Sequence, residues 1–255
     1  MNQDDRAAFD RALRRARVSA YGAGEYVEQE SFMRAGEILD LASRAGIGPG
    51  VSVLDVCCGV AGPGRFITRE LGCSYLGVDA SAGAVVIARA RATDLPCRFQ
   101  VADVPPIPHG PFDVVLLLET MLAFANKEPL LAAVAAALVP GGRFAFTLEE
   151  GVPLSDIERA AMPDADTVWL TPLDQMHALL EQSGFVVTFT DDHSSSHRQM
   201  AASLARAFAV HRREIAMQIG DQAVDELIAG HRLWIDWLGS GRARKFAIVA
   251  TASGR

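Results

Sequence analysis

Short, continuously apolar runs alternate along this chain with stretches of helical periodicity, and few folds can satisfy that alternation. Residues 51–57, 74–78, 98–101, 112–118 and 143–148 are strand-length runs bounded by turn residues. The run 112–118 (FDVVLLL) is almost wholly apolar, so a strand made from it must be covered on both faces. Helical stretches lie between the runs: 65–71, 82–92 with Ser81 as N-cap, and 130–138, stopped by Pro140-Gly-Gly142. This order predicts an α/β fold with a mostly parallel sheet sandwiched between helices.

The C-terminal third continues differently. A helix is expected from Thr171 (N-cap) and Pro172 (N1) to Gln182, then a sixth strand over 185–190. Two long helices over 195–219 and 221–238 and a seventh strand over 246–251 complete the pattern. Upstream, residues 5–18 read as a helix and a second one starts near Ser31, ending in the breaker cluster 46–50. A length of 255 residues allows one elaborated domain or two small ones. Because the last strand returns to the sheet, a single domain spanning 1–255 is expected. It divides into an N-terminal helical cover (1–50), a core (51–191 and 245–255) and a helical cap inserted at 192–244.

Composition narrows the function. Twenty-four Lys+Arg against 31 Asp+Glu, a net charge of −7, speak against a general nucleic-acid binder. Half the residues are hydrophobic, enough for a packed core. Four cysteines, at 57, 58, 73 and 97, contain no C-x-x-C pair. With no apolar leader at the N-terminus and no run of about 18 apolar residues, the expected location is the reducing cytoplasm. Lys127 and Lys245 are the only lysines, which reads as compositional bias.

The most informative segment is 53–64, VLDVCCGVAGPG, an apolar strand running through a turn of small residues into a helix. Such a turn lets backbone approach a ligand closely, and the helix start offers N–H groups. Asp79, after the next strand, is placed to accept hydrogen bonds from a ribose diol. Asp55 sits immediately before the turn. A carboxylate there would repel a pyrophosphate but suit a cationic group, which argues against a nicotinamide dinucleotide.

These residues resemble the class I S-adenosylmethionine-dependent methyltransferases. The loop D-x-G-x-G-x-G of that superfamily falls on Asp55, Cys57, Gly59 and Ala61, with two glycines replaced by small residues. Gly77-Val-Asp-Ala-Ser81, Ala102-Asp103, the stretch from Phe112-Asp113 to Glu119 and Leu138-Val-Pro-Gly-Gly142 extend the match. The segments 24–32 and 241–249 look like those of small-molecule methyltransferases. The resemblance implies a Rossmann-like seven-stranded sheet and S-adenosyl-L-methionine as cofactor. It implies that Asp55, Cys57, Gly59 and Ala61 line the methionine part and that Asp79 with Ala80 meets the ribose. Asp103 and Val104 would meet the adenine, and Glu119 would stand near the sulfonium and the acceptor. It makes Tyr21, Tyr26, Gln29 and Ser31 wall residues of a site closed by the N-terminal segment. Trp169 and Trp234 are further candidates for an apolar substrate wall.

His193, His197 and Glu119 are the candidates for a general base. His211 and His231 lie on apolar helical faces and read as packing residues, as do Cys57 and Cys58. No metal is expected. The partner expected is a small-molecule methyl acceptor, with neither nucleic acid nor membrane; a homodimer is left open. A nucleic-acid or protein methyltransferase is the competing reading, but the N-P-P-Y tetrapeptide expected after the fourth strand is replaced by Leu118-Glu-Thr-Met121. A non-catalytic cofactor-binding protein is a third.

Overall fold

The structure, a computed structural model, describes residues 3–163 and 165–253. Seven strands form one sheet: β1 (Ser52–Val56), β2 (Ser74–Asp79), β3 (Cys97–Val101), β4 (Phe112–Leu117), β5 (Leu138–Glu150), β6 (Phe185–Asp192) and β7 (Arg244–Ala252). Their order is β3-β2-β1-β4-β5-β7-β6. All pairings are parallel except those of β7, which runs antiparallel to both β5 and β6.

The period of two along each strand divides the core between the faces. Leu54, Val56, Val115, Leu117, Phe144 and Phe146 pack on α5 (Glu128–Ala137) and α7 (Leu173–Gln182). Val53, Val114, Leu116, Ala145 and Val249 face α2 (Ala35–Arg44), α3 (Gly62–Leu71) and α4 (Ala82–Arg91) on the other side. Both sets are almost fully buried, which is why the strands read as unbroken apolar runs. The chain leaves β1 toward β2 and β3, then crosses back to β4 on the other side of β1. The crevice at the carboxyl ends of β1 and β4 is therefore the switch point where ligands bind in open α/β sheets.

A separate helical layer stands over that edge. It consists of α1 (Gln3–Tyr21), α8 (Ser194–Val210), α9 (Arg212–Ile219) and α10 (Asp221–Ser240). Leu13 and Ala16 of α1 share a core with Met200, Leu204, Phe208, Ile215, Val224 and Ile228. α1 and the insertion, far apart in sequence, are thus one packed layer, whereas α2, the rest of the expected cover, packs on the sheet.

Four local expectations shift. The helix expected over 195–219 breaks at His211, whose φ of −94° and ψ of 11° end α8 and start α9. The insertion therefore holds three helices. The second helix starts at Ala35, not Ser31, because residues 25–34 are held as a loop by side-chain bonds described below. Pro172, rather than Thr171, is the N-cap of α7; Thr171 instead bridges to Glu150. A further short helix, α6 (Asp156–Ala161), is closed by a Ser155–Glu158 capping box.

Candidate functional site

The loop after β1 takes its shape from three left-handed residues, Cys57, Gly59 and Ala61, with φ of 61°, 55° and 55°. Cys57 occupies a conformation that costs an L-residue about 1–2 kcal/mol, a local strain at the crevice. Two glycines make room. A Cβ on Gly62 would lie 2.2 Å from the Val27 carbonyl oxygen, so only glycine lets the 25–34 loop close on the helix start. A Cβ on Gly64 would lie 2.1 Å from the Tyr75 hydroxyl, which must pass there to donate to Asp55 Oδ2 at 2.5 Å.

Asp55 is buried, and burial pushes its carboxyl up to about 7 although the Tyr75 hydroxyl works against the shift. Asp79 closes the loop: its Oδ2 accepts the Gly59 N–H and its Oδ1 the Ser81 N–H, both at 2.8 Å. Burial holds the Cys57 thiol up at about 12 and Cys58 higher still, so both are neutral packing groups rather than nucleophiles.

Two cavities flank Glu119. The smaller, about 240 Å³, is lined by Asp55, Cys57, Gly59, Gly62 and Thr120, with Gln29 and Met33 from the covering loop. The larger, about 520 Å³, runs under the helical layer between Phe32, Leu204, Phe208, Trp234 and Leu238. Its polar end is formed by Glu119, Glu149, His197 and Lys245. Glu30, Ser31 and Glu119 line both.

The polar end is a buried ion cluster. Lys245 Nζ lies 2.7 Å from Glu119 Oε1 and also bonds Glu149 Oε1. The antiparallel register that pairs Glu149 with Lys245 brings β5 and β7 together here. Glu119, with φ of 60°, is held by its N–H donating to Thr147 Oγ1 at 2.6 Å and by Phe32 N–H reaching its Oε2 at 3.3 Å. One cation between two buried carboxylates can neutralise only one of them. Burial pushes Glu119 up, but Lys245 and His197 outweigh it and hold the carboxyl at about 2. Burial keeps Glu149 above its ordinary range despite Lys245. Its Oε2 has no hydrogen-bond partner among the described residues. Burial also drives His197 down to about 4, against the pull of Glu119, so its imidazole is neutral.

Residues 53–142 match the family described as "Methyltransferase domain". That match spans 90 of the 255 residues. Over 182 residues it is 29% identical to Methyltransferase GfsG of Streptomyces halstedii, covering 67% of this chain and 65% of that protein. It is 22% identical to Phosphoethanolamine N-methyltransferase 1 of Zea mays, covering 83% of this chain and 43% of that one. The chain thus spans less than two thirds of the length of either relative. The cyclopropane synthase MmaA2 of Mycobacterium tuberculosis shares the fold, with a TM-score of 0.80 at 14% identity over 97% of both chains.

Within this fold the residues singled out in the sequence separate into groups. Asp55, Cys57 and Gly59 line the smaller cavity; Ala61 is buried behind it. Asp79 ends β2 with Ala80 after it, and Asp103 with Val104 follows β3, one and two strands along the edge from β1. None of these four lines that cavity. Glu119 stands between the two cavities. Trp234 and His197 line the larger one, whereas His193 and Trp169 do not. The Trp169 indole donates to the Asp166 carbonyl at 2.9 Å under the Arg159 guanidinium. Tyr21 and Tyr26 pack with tilted rings, centroids 5.4 Å apart, outside both cavities, and the Tyr21 hydroxyl is spent on the Ser31 carbonyl. Gln29 faces the smaller cavity, but its amide holds the loop: Oε1 accepts from Val27, and Nε2 donates to the Glu25 and Met33 carbonyls. His231 bonds the Leu227 carbonyl at 2.7 Å and packs edge-on to Phe32 and Phe208.

Glu149 and Lys245 were missed in the sequence. A signal was present. In a chain whose basic residues are otherwise arginine, both lysines are buried, Lys127 at 4% and Lys245 at 3% exposure. Lys127 donates to the Phe124 and Trp169 carbonyls, a structural role.

Proposed function

We propose that this protein is an S-adenosylmethionine-dependent methyltransferase acting on a small, largely apolar acceptor. The observation that carries this reading is the meeting of the two cavities at Glu119, one suited to the methyl donor and one to the acceptor. S-adenosylmethionine supplies an electrophilic sulfonium methyl, which an O, N or C nucleophile can take by in-line displacement, leaving S-adenosylhomocysteine.

The donor set fits that cofactor. Among the described residues no cation pairs with Asp55, and an ammonium beside it would stabilise its ionised form. Asp79 retains acceptor capacity for ribose hydroxyls beyond its two backbone bonds. The chain's own contribution to rate is orientation, worth up to about 7–11 kcal/mol where reacting atoms are aligned. Glu149 holds the acceptor's proton on its free Oε2 as the new bond forms, with Lys245 fixing the carboxylate through Oε1. We thereby move the base role from His193, His197 and Glu119 to Glu149: His193 lies off the cavity, Lys245 and His197 hold Glu119 ionised at about 2, too weak a base, and burial drives His197 down to about 4. We read the chain as one unit, the layer of α1 and α8–α10 roofing the acceptor, because that layer shares a core.

The acceptor cavity argues against a phosphorylated substrate such as the maize relative's name states. Each arginine or lysine lining it is already paired: Arg17 with Glu30 at 2.9 Å, Arg244 with Glu150 at 2.8 Å, and Lys245 with Glu119. No described helix is long and apolar enough to cross a membrane.

The direct test incubates the protein with methyl-labelled S-adenosylmethionine and an organic extract of small metabolites. Label should move to an uncharged or amphipathic compound with equimolar S-adenosylhomocysteine. Failure to bind S-adenosylmethionine in calorimetry would sink the proposal.

Two variants test the cofactor side. Asp55 protonates near pH 7 in the free protein, so below that pH it cannot pair with an ammonium. Cofactor affinity should rise from about pH 6 to about pH 8 and then level off, since only the ionised form attracts the cation. In Asp55→Asn the rise should vanish and affinity at the upper pH should fall; a wild-type rise retained in the variant rules Asp55 out. Asp79→Ala should weaken cofactor binding by about 1–3 kcal/mol through an unpaired ribose hydroxyl. Unchanged affinity in a folded variant would refute the ribose role.

A further inference from the structure

We propose that Glu37, His193 and His197 form a binding site for a divalent transition-metal ion of the zinc type. It stands apart from the methyl-donor cavity and ties α2 to the start of α8. The proposal is independent of the methyl-transfer reading and revises the expectation that no metal is held.

His193 and His197 stand four residues apart, the spacing that puts two side chains on one helix face. Two backbone bonds seat them. The His193 N–H donates to the Lys245 carbonyl at 2.8 Å, and the Lys245 N–H donates to Ser194 Oγ at 2.9 Å. Glu37 enters from α2. Its Oε2 lies 3.7 Å from His197 Nε2, and its Oε1 lies 4.0 Å from His193 Nδ1. One ligand atom from each of the three residues falls within a mutual distance of 4.8 Å. A tetrahedral zinc with bonds of about 2.0–2.1 Å holds its ligand atoms about 3.3 Å apart.

The strongest sign is what these imidazoles lack. His197 is fully buried, yet neither ring nitrogen has a hydrogen-bond partner among the described residues, and His193 Nδ1 is likewise buried without one. Orphaned buried polar groups call for a partner. One outward nitrogen is arranged as in metal sites, where a ligating histidine gives its other N–H to a carboxylate: His193 Nε2 lies 3.2 Å from Asp191 Oδ2. His197 Nδ1 lies 4.0 Å from Glu119 Oε2, beyond a direct hydrogen bond. Glu37 also accepts from the Ser196 hydroxyl and, at 2.8 Å, from the Arg34 N–H; each carboxylate oxygen keeps a second lone pair. The charge balance favours a cation. Glu37, Glu119 and Asp191 face the imidazoles, while the charge of Lys245 is shared by Glu119 and Glu149.

The test uses the full chain, freed of metal with a chelator and titrated with Co²⁺. Visible d–d absorption should grow to a one-to-one endpoint, and Zn²⁺ should abolish it; zinc should also raise the melting temperature. His193→Gln, in a folded protein, should lower Co²⁺ affinity by more than about 100-fold, and Asp191→Asn by about 10-fold, within the range lost with outer-shell partners. No saturable absorption in the wild type overturns the proposal. So does an affinity unchanged in His193→Gln, which would place the ion on the other histidines. If that variant does not fold, Asp191→Asn decides, and unchanged affinity there overturns the proposal. S-adenosylmethionine affinity, measured on the same samples, separates this outcome from failure of the methyl-transfer reading.

Discussion

Replacing Lys245 with methionine is expected to destabilise the chain by about 3–5 kcal/mol, the usual cost of stranding a buried charge. Lys245 is the only described cation bonded to Glu119 and Glu149, and both carboxyls are buried. Without it, one or both must protonate or draw in water. The sign of the pH dependence follows from Glu119. Its folded pKa, near 2, lies below the unfolded value, so its pairing stabilises the fold above the unfolded pKa and the contribution fades as pH falls toward 2. The loss in Lys245→Met should therefore be greatest at neutral pH and shrink in acid. A triple variant, Lys245→Met with Glu119→Gln and Glu149→Gln, should recover much of the stability, because the stranded charges go with their partner. Urea unfolding at two pH values checks this. A loss below about 1 kcal/mol would show that the cluster is solvated like a surface pair.

The second large effect is on turnover. Glu149→Gln keeps size and shape but removes the basic carboxylate, and kcat should fall by about 10²–10⁴-fold, the range for a positioned general base. Cofactor affinity should stay the same, because Glu149 lines the acceptor cavity and not the smaller one. Burial holds the Glu149 carboxyl above its ordinary value. The wild-type acid limb of kcat should accordingly lie at higher pH than an exposed glutamate would give, with activity lost as pH falls through it. Glu149→Asp should retain part of the rate and the limb. A Glu149→Gln variant with undiminished kcat would mean that the proton leaves by another route or that the acceptor needs no base.

Much of the fold could be read from the chain because its signals are local. A strand buried on both faces must be almost wholly apolar, and Phe112–Leu117 is, apart from Asp113 near its start. The loop after β1 needs small residues within a few positions of one another, and residues 57–64 provide them. Asp55 follows from the same strand–turn–helix context, and it does line the smaller cavity, whereas Asp79 after the next strand does not. The covering loop was less so. Gln29 looked like a wall residue, but its role is set by carbonyls at residues 25 and 33, whose positions depend on the loop's closure over Gly62.

What the sequence by itself determined is the class of fold, the small-residue loop after β1 and the strand ends that present it, because periodicity and small-residue turns act over a few residues. What only the tertiary structure decided is the chemistry at the polar end of the larger cavity. Glu37, Glu119, Glu149, His197 and Lys245 come from five elements spread over more than two hundred residues. Each is unremarkable in its own neighbourhood. The antiparallel return of β7 against β5 sets Lys245 between two carboxylates, and the α8 start, bonded to that same strand, brings the histidines beside them. Burial then gives those charges their perturbed protonation, since a low-dielectric interior acts on a group only through what the fold has packed around it.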